Sequence, residues 1–278
     1  MKQNIDLNRF REFGDVISDT FVVVKQNFKP LFKAYFIICG LFLLADILVS
    51  TVVNSNKGES TLFSSMGFLE LLFDFINFTA MLLTTLSYLT LYKEKGNQPP
   101  DVVEVWGYFR YYFFRVFFTQ ILLAIAATIG FFLCFVPFIY LSAVFALVTP
   151  IMVTENGNLE YSCKKAFRMI SGNWWFTFGV MLLMLIIILM VMLVLMLPPM
   201  IIYGGGQFLT GKNLDNTAGI LQAVLINFCQ VLWVIPIIAT ALIYYSLIEE
   251  KEGNSLINRI KMFGKHTPGT DQTLSEQY

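Results

Sequence analysis

Residues 174–197 read WWFTFGVMLLMLIIILMVMLVLML, twenty-four consecutive positions without a charged side chain. At 1.5 Å per residue such a helix is roughly 36 Å long, more than the roughly 30 Å of a bilayer's hydrocarbon core. A helix apolar on every side for that length is at home in lipid. The same reading, extended outward, predicts six spans at about 31–53, 66–92, 111–133, 137–153, 174–197 and 218–247. The fold class expected is therefore an all-α integral membrane protein.

Composition agrees. The chain of 278 residues is 56% hydrophobic, 16% aromatic and only 14% charged, with mean hydropathy +0.67, which excludes an ordinary soluble globule and a disordered chain. Nineteen basic residues balance nineteen acidic ones, so no basic excess marks a nucleic-acid partner. Cys39, Cys134, Cys163 and Cys229 are scattered singly, with neither a disulfide framework nor a paired zinc motif. The segment before the first span carries Asp6, Arg9, Arg11, Glu12, Asp15 and Asp19, unlike a cleaved signal peptide.

Lysine and arginine set the orientation, because basic loops stay on the cytoplasmic side during insertion. The chain through Lys33, the stretch from Lys93 to Arg115, the segment between spans four and five, and the part after span six hold seventeen of them; the other connections hold only Lys57 and Lys212. Both termini are expected in the cytoplasm.

Three of the predicted cytoplasmic exits share a pattern: Lys93-Glu94-Lys95-Gly96-Asn97, Thr154-Glu155-Asn156-Gly157-Asn158 and Glu250-Lys251-Glu252-Gly253-Asn254. Glycine suits the left-handed position that ends a helix and asparagine caps the next. After the second exit, Leu159, Cys163, Ala166, Phe167 and Ile170 recur at helical spacing, with Glu160, Lys164, Lys165 and Arg168 assigned to the opposite side. This predicts an amphipathic interfacial helix. Similar segments at 101–115 and 254–265, and an N-terminal one carrying Leu7, Phe10, Ile17 and Phe21, give an internal repeat: three helical hairpins with amphipathic helices on the inner face. The expected domain is residues 1–265, with 266–278 a polar tail. Lys164, Lys165 and Arg168 are candidate contacts to anionic lipid.

Phe13-Gly14-Asp15 with Asp19-Thr20-Phe21, Asn27 to Phe32, Thr149 to Val153, and Gly172-Asn173-Trp174 resemble motifs of a bacterial family of uncharacterised six-span membrane proteins. They are also similar to the membrane domain fused to some glycerophosphodiester phosphodiesterases. The resemblance implies a bacterial inner membrane as the location, a membrane-embedded accessory role and no catalytic residues, since the chemistry of those fusions sits in a separate soluble domain.

Histidine occurs once, at His266, and no phosphate-binding glycine loop is present, so no enzyme and no cofactor are expected. The residues that require an account are acids at membrane depth, which are costly and usually functional. Asp46 falls in the outer half of span one. Glu70, Asp74 and Asn77 share one face of span two, and Gln222, Asn227 and Gln230 fall in a similar layer of span six. No lysine or arginine lies in that layer. Asp46, Glu70, Asp74, Asn77, Asn227 and Gln230 are thus a candidate polar or cation site. The alternative has Glu70 and Asp74 on an outer surface helix, if the span begins near Ile76, with Asp46 protonated or satisfied locally. The function expected first is a scaffold or accessory subunit docking a membrane or cytoplasmic partner. A transporter or lipid-handling protein that uses the acidic cluster is the alternative.

Overall fold

The computed structural model of the chain describes residues 7, 9–55, 65–133, 135–210 and 224–253. The described elements are all helical: α1 (Phe13–Ser55), α2 (Ser65–Glu94), α3 (Val102–Leu133), α4 (Phe135–Glu155), α5 (Leu159–Ile170), α6 (Trp174–Thr210) and α7 (Val234–Glu252). A helical stretch at 224–230 and a 3-10 turn at Val231–Trp233 lead into α7. Six segments are long and apolar enough to cross a membrane: Phe13–Val53, Ser65–Glu94, Val102–Phe132, Pro137–Glu155, Trp174–Pro198 and Val224–Lys251. The chain is a multi-pass membrane protein by this measure, and the six predicted stretches fall on these segments. Residues 218–223 and the predicted amphipathic segment 254–265 lie outside the described residues, as does the tail.

Two expected interfacial helices are not separate elements. Residues 13–30 are the first turns of the 43-residue α1, and 102–110 the first turns of α3. No helix-ending turn separates either segment from its span. Even Pro30, which withholds an N–H from the carbonyl of Gln26, sits inside α1. Only α5 stands alone, because Gly172 adopts φ +93° and breaks the chain before α6.

The Gly-Asn exits close by two routes. After α2, Gly96 and Asn97 both take positive φ (63° and 66°), and the Asn97 N–H reaches back to the Tyr92 carbonyl at 2.9 Å. After α7, Gly253 is left-handed and donates to Glu249. After α4 the left-handed residue is Asn156 (φ 52°) and not Gly157, a correction to the expectation that glycine takes this position each time. Asparagine is the non-glycine residue that tolerates it best. Asn158 then caps α5 by accepting from the Tyr161 N–H at 3.1 Å.

Neighbouring spans run antiparallel. Between α1 and α2, Asn27 meets Tyr88, Cys39 meets Thr84 and Asp46 meets Asn77, so residue numbers fall on one helix as they rise on the other. Between α3 and α4, Arg115 meets Asn156, Gln120 meets Thr149 and Phe131 packs on Phe138. The spans also alternate in burial. In α2, α4 and the sixth span, 39, 50 and 61% of the most apolar window is buried, against 33, 22 and 17% in α1, α3 and α6. The first three touch one another and form the inner layer, and the others lie outside it.

This inner layer explains the unusual side chains of α2. From Thr79 to Tyr92 every residue is buried, including Thr84, Thr85, Ser87 and Thr90. Small hydroxyl residues let helices approach and can return their hydrogen bond to the helix itself, as Thr85 does to the Met81 carbonyl at 2.9 Å. At the end of the bundle that carries α5, the buried Arg11 donates to Asp19 Oδ2 at 2.9 Å, and its backbone N–H donates to Ser246 of α7. The chain's first described residues are thereby fastened beneath the last span.

Candidate functional site

Asp46 lies nine residues before the end of α1, and Asp74 nine residues after the start of α2. Each is therefore about 14 Å along the axis from the end of the bundle opposite α5. Because α1 and α2 are antiparallel, equal setbacks bring the two carboxyls to one level, where each is near enough to act on the other. Asp46 is completely buried, and Asp74 half-buried.

Two amides complete the arrangement. Asn77 Nδ2 donates to Asp46 Oδ2 at 2.9 Å and to Gln230 Oε1 at 2.7 Å; Gln230 Nε2 donates to Asp74 Oδ1 at 3.3 Å. One connected network thus joins α1, α2 and the helical stretch before α7. The groups that act on Asp46 are Asp74, Asn77 and Gln230, with no lysine or arginine among them. Oδ1 of Asp46 and Oδ1 of Asn77, both buried, accept no hydrogen bond. Among the described residues no three of His, Cys, Asp or Glu are grouped so as to hold a metal ion. Chemically, the arrangement offers more acceptor oxygens than donors around a fully buried carboxyl. That excess suits a proton or a singly charged cation.

The structure therefore brings together four of the six candidate residues: Asp46, Asp74, Asn77 and Gln230. Glu70, one turn before Asp74, is near enough to feel its charge and is half-buried. Asn227, three residues before Gln230, is buried on the same stretch. Gln222 lies outside the described residues. The helix α2 runs unbroken from Ser65, so Glu70 and Asp74 stand on the same helix as Asn77.

The basic residues of α5 divide. Lys164 and Arg168 are exposed, and Lys164 pairs with Glu160 at 2.6 Å. That hydrogen bond and the ammonium charge hold the Glu160 carboxyl below its usual range. Lys165 does not share their side, which corrects the grouping of all three lysine and arginine residues on the lipid-facing surface. It is 7% exposed and bonded to Glu155 Oε1 at 2.7 Å. Its position, together with Ser162, Ala166 and Met169, is the buried face of α5. Glu155 also accepts from Tyr244 and Tyr161, each at 2.7 Å, so one carboxylate ties α4, α5 and α7 together. The Tyr161 phenol is pushed up by donating to it.

Sequence reasoning passed over this carboxylate, as it did Arg11 and the paired Cys39 and Thr84. The available signal was spacing: Cys39 and Asp46 fall on one side of α1, and Asn77, Thr84 and Tyr88 on one side of α2. No protein-family model matches the chain, and no curated protein or solved structure matches it either.

Proposed function

We propose that the chain is a transport or lipid-handling protein of the bacterial inner membrane whose working group is the Asp46–Asp74 carboxyl pair. The observation that carries this is the network itself: two carboxyls from different helices, joined through the amides of Asn77 and Gln230, with no basic residue among the groups that act on Asp46. Two carboxylates in so poor a solvent cannot both stay ionised. One proton shared between them, or a monovalent cation in its place, satisfies the charge. A network kept only for packing would gain little, since hydrogen bonds between membrane helices average about 0.6 kcal/mol. The basic-loop asymmetry supports both termini in the cytoplasm and the pair in the outer half. Alternate inner and outer spans support three repeated hairpins. The partners of this reading are membrane lipids, and the reading assigns no enzymatic activity.

The test replaces Asp46 and Asp74 together by Asn, which keeps shape and removes charge. The infrared band of a protonated carboxyl should disappear. The variant should also fail to restore whatever growth or membrane-composition phenotype the wild-type chain restores in a deletion strain, while remaining folded and inserted. Full restoration would defeat the proposal and leave the scaffold reading.

A scaffold has one observation of its own. The most hydrophobic span, α6, presents Leu182, Ile186, Leu189, Met190 and Leu193 outward, an apolar side open to another membrane protein or to lipid. Crosslinking from these positions in native membrane distinguishes the two neighbours.

A further inference from the structure

A second feature lies beside the network and is not part of it. A partly open cavity of about 360 Å³ separates α2, α3, α4 and α7. Its wall is almost entirely carbon. The side chains that leave the space are short: Ala124 and Ala127 of α3, Ser142 and Ala146 of α4. Gln120 and Thr149, the most polar residues on the wall, bond to each other at 3.0 Å, which removes the wall's main demand for a polar ligand.

The cavity's depth limits what can enter it. Its lining runs from the middle of the spans toward the end opposite α5, at 75–82 of α2, 120–127 of α3, 138–149 of α4 and 233–240 in the sixth span. Whichever way the chain is inserted, this stretch lies within the hydrocarbon core of the bilayer. Water gains nothing from an apolar wall that offers it no partners. An apolar cavity of about 150 Å³ in a soluble protein already takes up benzene, and this one has more than twice that volume. Empty, it would cost stability in proportion to its volume. Lipid chains are the apolar material present at that depth, and the cavity is partly open.

We infer that the cavity is a binding site for one hydrocarbon chain of a membrane lipid. The inference is independent of the carboxyl pair, although the two sites share a wall. Phe78 and Trp233, packed edge to face at 6.4 Å between ring centroids, line the cavity and follow Asn77 and Gln230 by one and three positions. An occupied cavity would hold both rings against the network.

The test is photochemical. The purified full chain is reconstituted in phosphatidylcholine vesicles that include phosphatidylcholine with a diazirine in the middle of one acyl chain, irradiated, and mapped by peptide mass spectrometry. Adducts should concentrate on the cavity wall around Ala127, Ala146 and Trp233, above the level at the lipid-facing Phe118 and Leu122, which are exposed on the outside of α3. Filling the space with Ala127→Phe and Ala146→Phe should abolish the wall adducts and leave those at Phe118 and Leu122. Adducts at the outward positions alone would overturn the inference, as would wall adducts that persist after filling. Should the filled variant not fold, the wild-type map decides by itself, since a cavity occupied by a protein side chain or by water yields no lipid adduct on its wall.

Discussion

Asn77 of α2 donates from a single amide nitrogen to Asp46 of α1 at 2.9 Å and to Gln230 at 2.7 Å. Three spans far apart in sequence are registered by one side chain. If α1 slid against α2 by one turn, the 5.4 Å pitch would carry the carboxylate out of hydrogen-bond range. The same seam is pinned lower down, where Cys39 meets Thr84 and Asn27 meets Tyr88. These contacts fix the level at which Asp46 and Asp74 meet.

Replacing Asn77 by Ala should therefore cost more than its own hydrogen bonds. It strands a fully buried carboxyl, and an unsatisfied buried group costs about 1–3 kcal/mol. The double variant Asp46→Ala with Asn77→Ala should be less destabilised than the sum of the singles, with a coupling of about 0.6–1.7 kcal/mol, the range for hydrogen bonds between membrane helices. Thermal unfolding of the four proteins in detergent provides the cycle. Strict additivity would mean that the two side chains do not interact.

At the other end of the bundle, Lys165 and Glu155 are 7% and 19% exposed, buried enough for their pairing to matter. Glu155→Ala should destabilise by about 3–5 kcal/mol, because it takes the carboxylate away from a buried ammonium. It also removes the acceptor of Tyr244 and Tyr161. Lys165→Met combined with Glu155→Gln should cost much less, since no buried charge remains. Equal melting temperatures for the single and the double variants would refute the assignment.

The spans were legible because hydropathy summed over twenty residues outweighs every local preference, as 174–197 illustrates. The polar layer was legible too. Setbacks counted along helices placed Asp46, Asp74, Asn77 and Gln230 at similar depth before any contact was known. Which helix lies beside which was not legible, since apolar surfaces leave neighbours undetermined, and the link from Asn77 to Gln230 spans 153 positions. Lys165 was misplaced because a lysine on an amphipathic helix is ordinarily the outward residue. The acid that reverses this, Glu155, precedes α5 across a turn, where helical spacing carries no information. The continuity of α1 and α3 was obscured in the same way, since an amphipathic stretch reads alike whether it lies flat or continues upward.

The turn after α4 permits a narrower prediction. A Cβ on Gly157 would come within 2.5 Å of Tyr161 Cδ1 and 3.2 Å of Ser162 Oγ. Gly157→Ala should therefore displace the Tyr161 ring and weaken its bond to Glu155, at a cost of about 1–3 kcal/mol, as for other overpacked sites. If the tyrosine is what suffers, Tyr161→Ala should relieve the clash, and the double variant should be no less stable than Tyr161→Ala alone. A further loss in the double variant would trace the strain to Ser162 or to the backbone.

Orientation decides which side of the membrane supplies a proton to the carboxyl pair. The pair lies about 14 Å from the end of the bundle opposite α5, so cytoplasmic loops at Gly96 and Gly157 place it in the outer half. Single cysteines at Gly96, Gly157, Lys57 and Lys212 test this with a membrane-impermeant maleimide on a cysteine-free chain. In that background Cys39→Ser is the conservative choice, since a hydroxyl retains the contact to Thr84 Oγ1. Lys57→Cys and Lys212→Cys should label on intact cells, and Gly96→Cys and Gly157→Cys only after the cells are opened. The positive-inside asymmetry of seventeen to two makes the reverse pattern unfavourable during insertion. If it were observed, the pair would lie nearer the cytoplasm, and a proton-linked function would draw on that side. External labelling of all four sites would defeat the six-span path itself, whatever the carboxyls do.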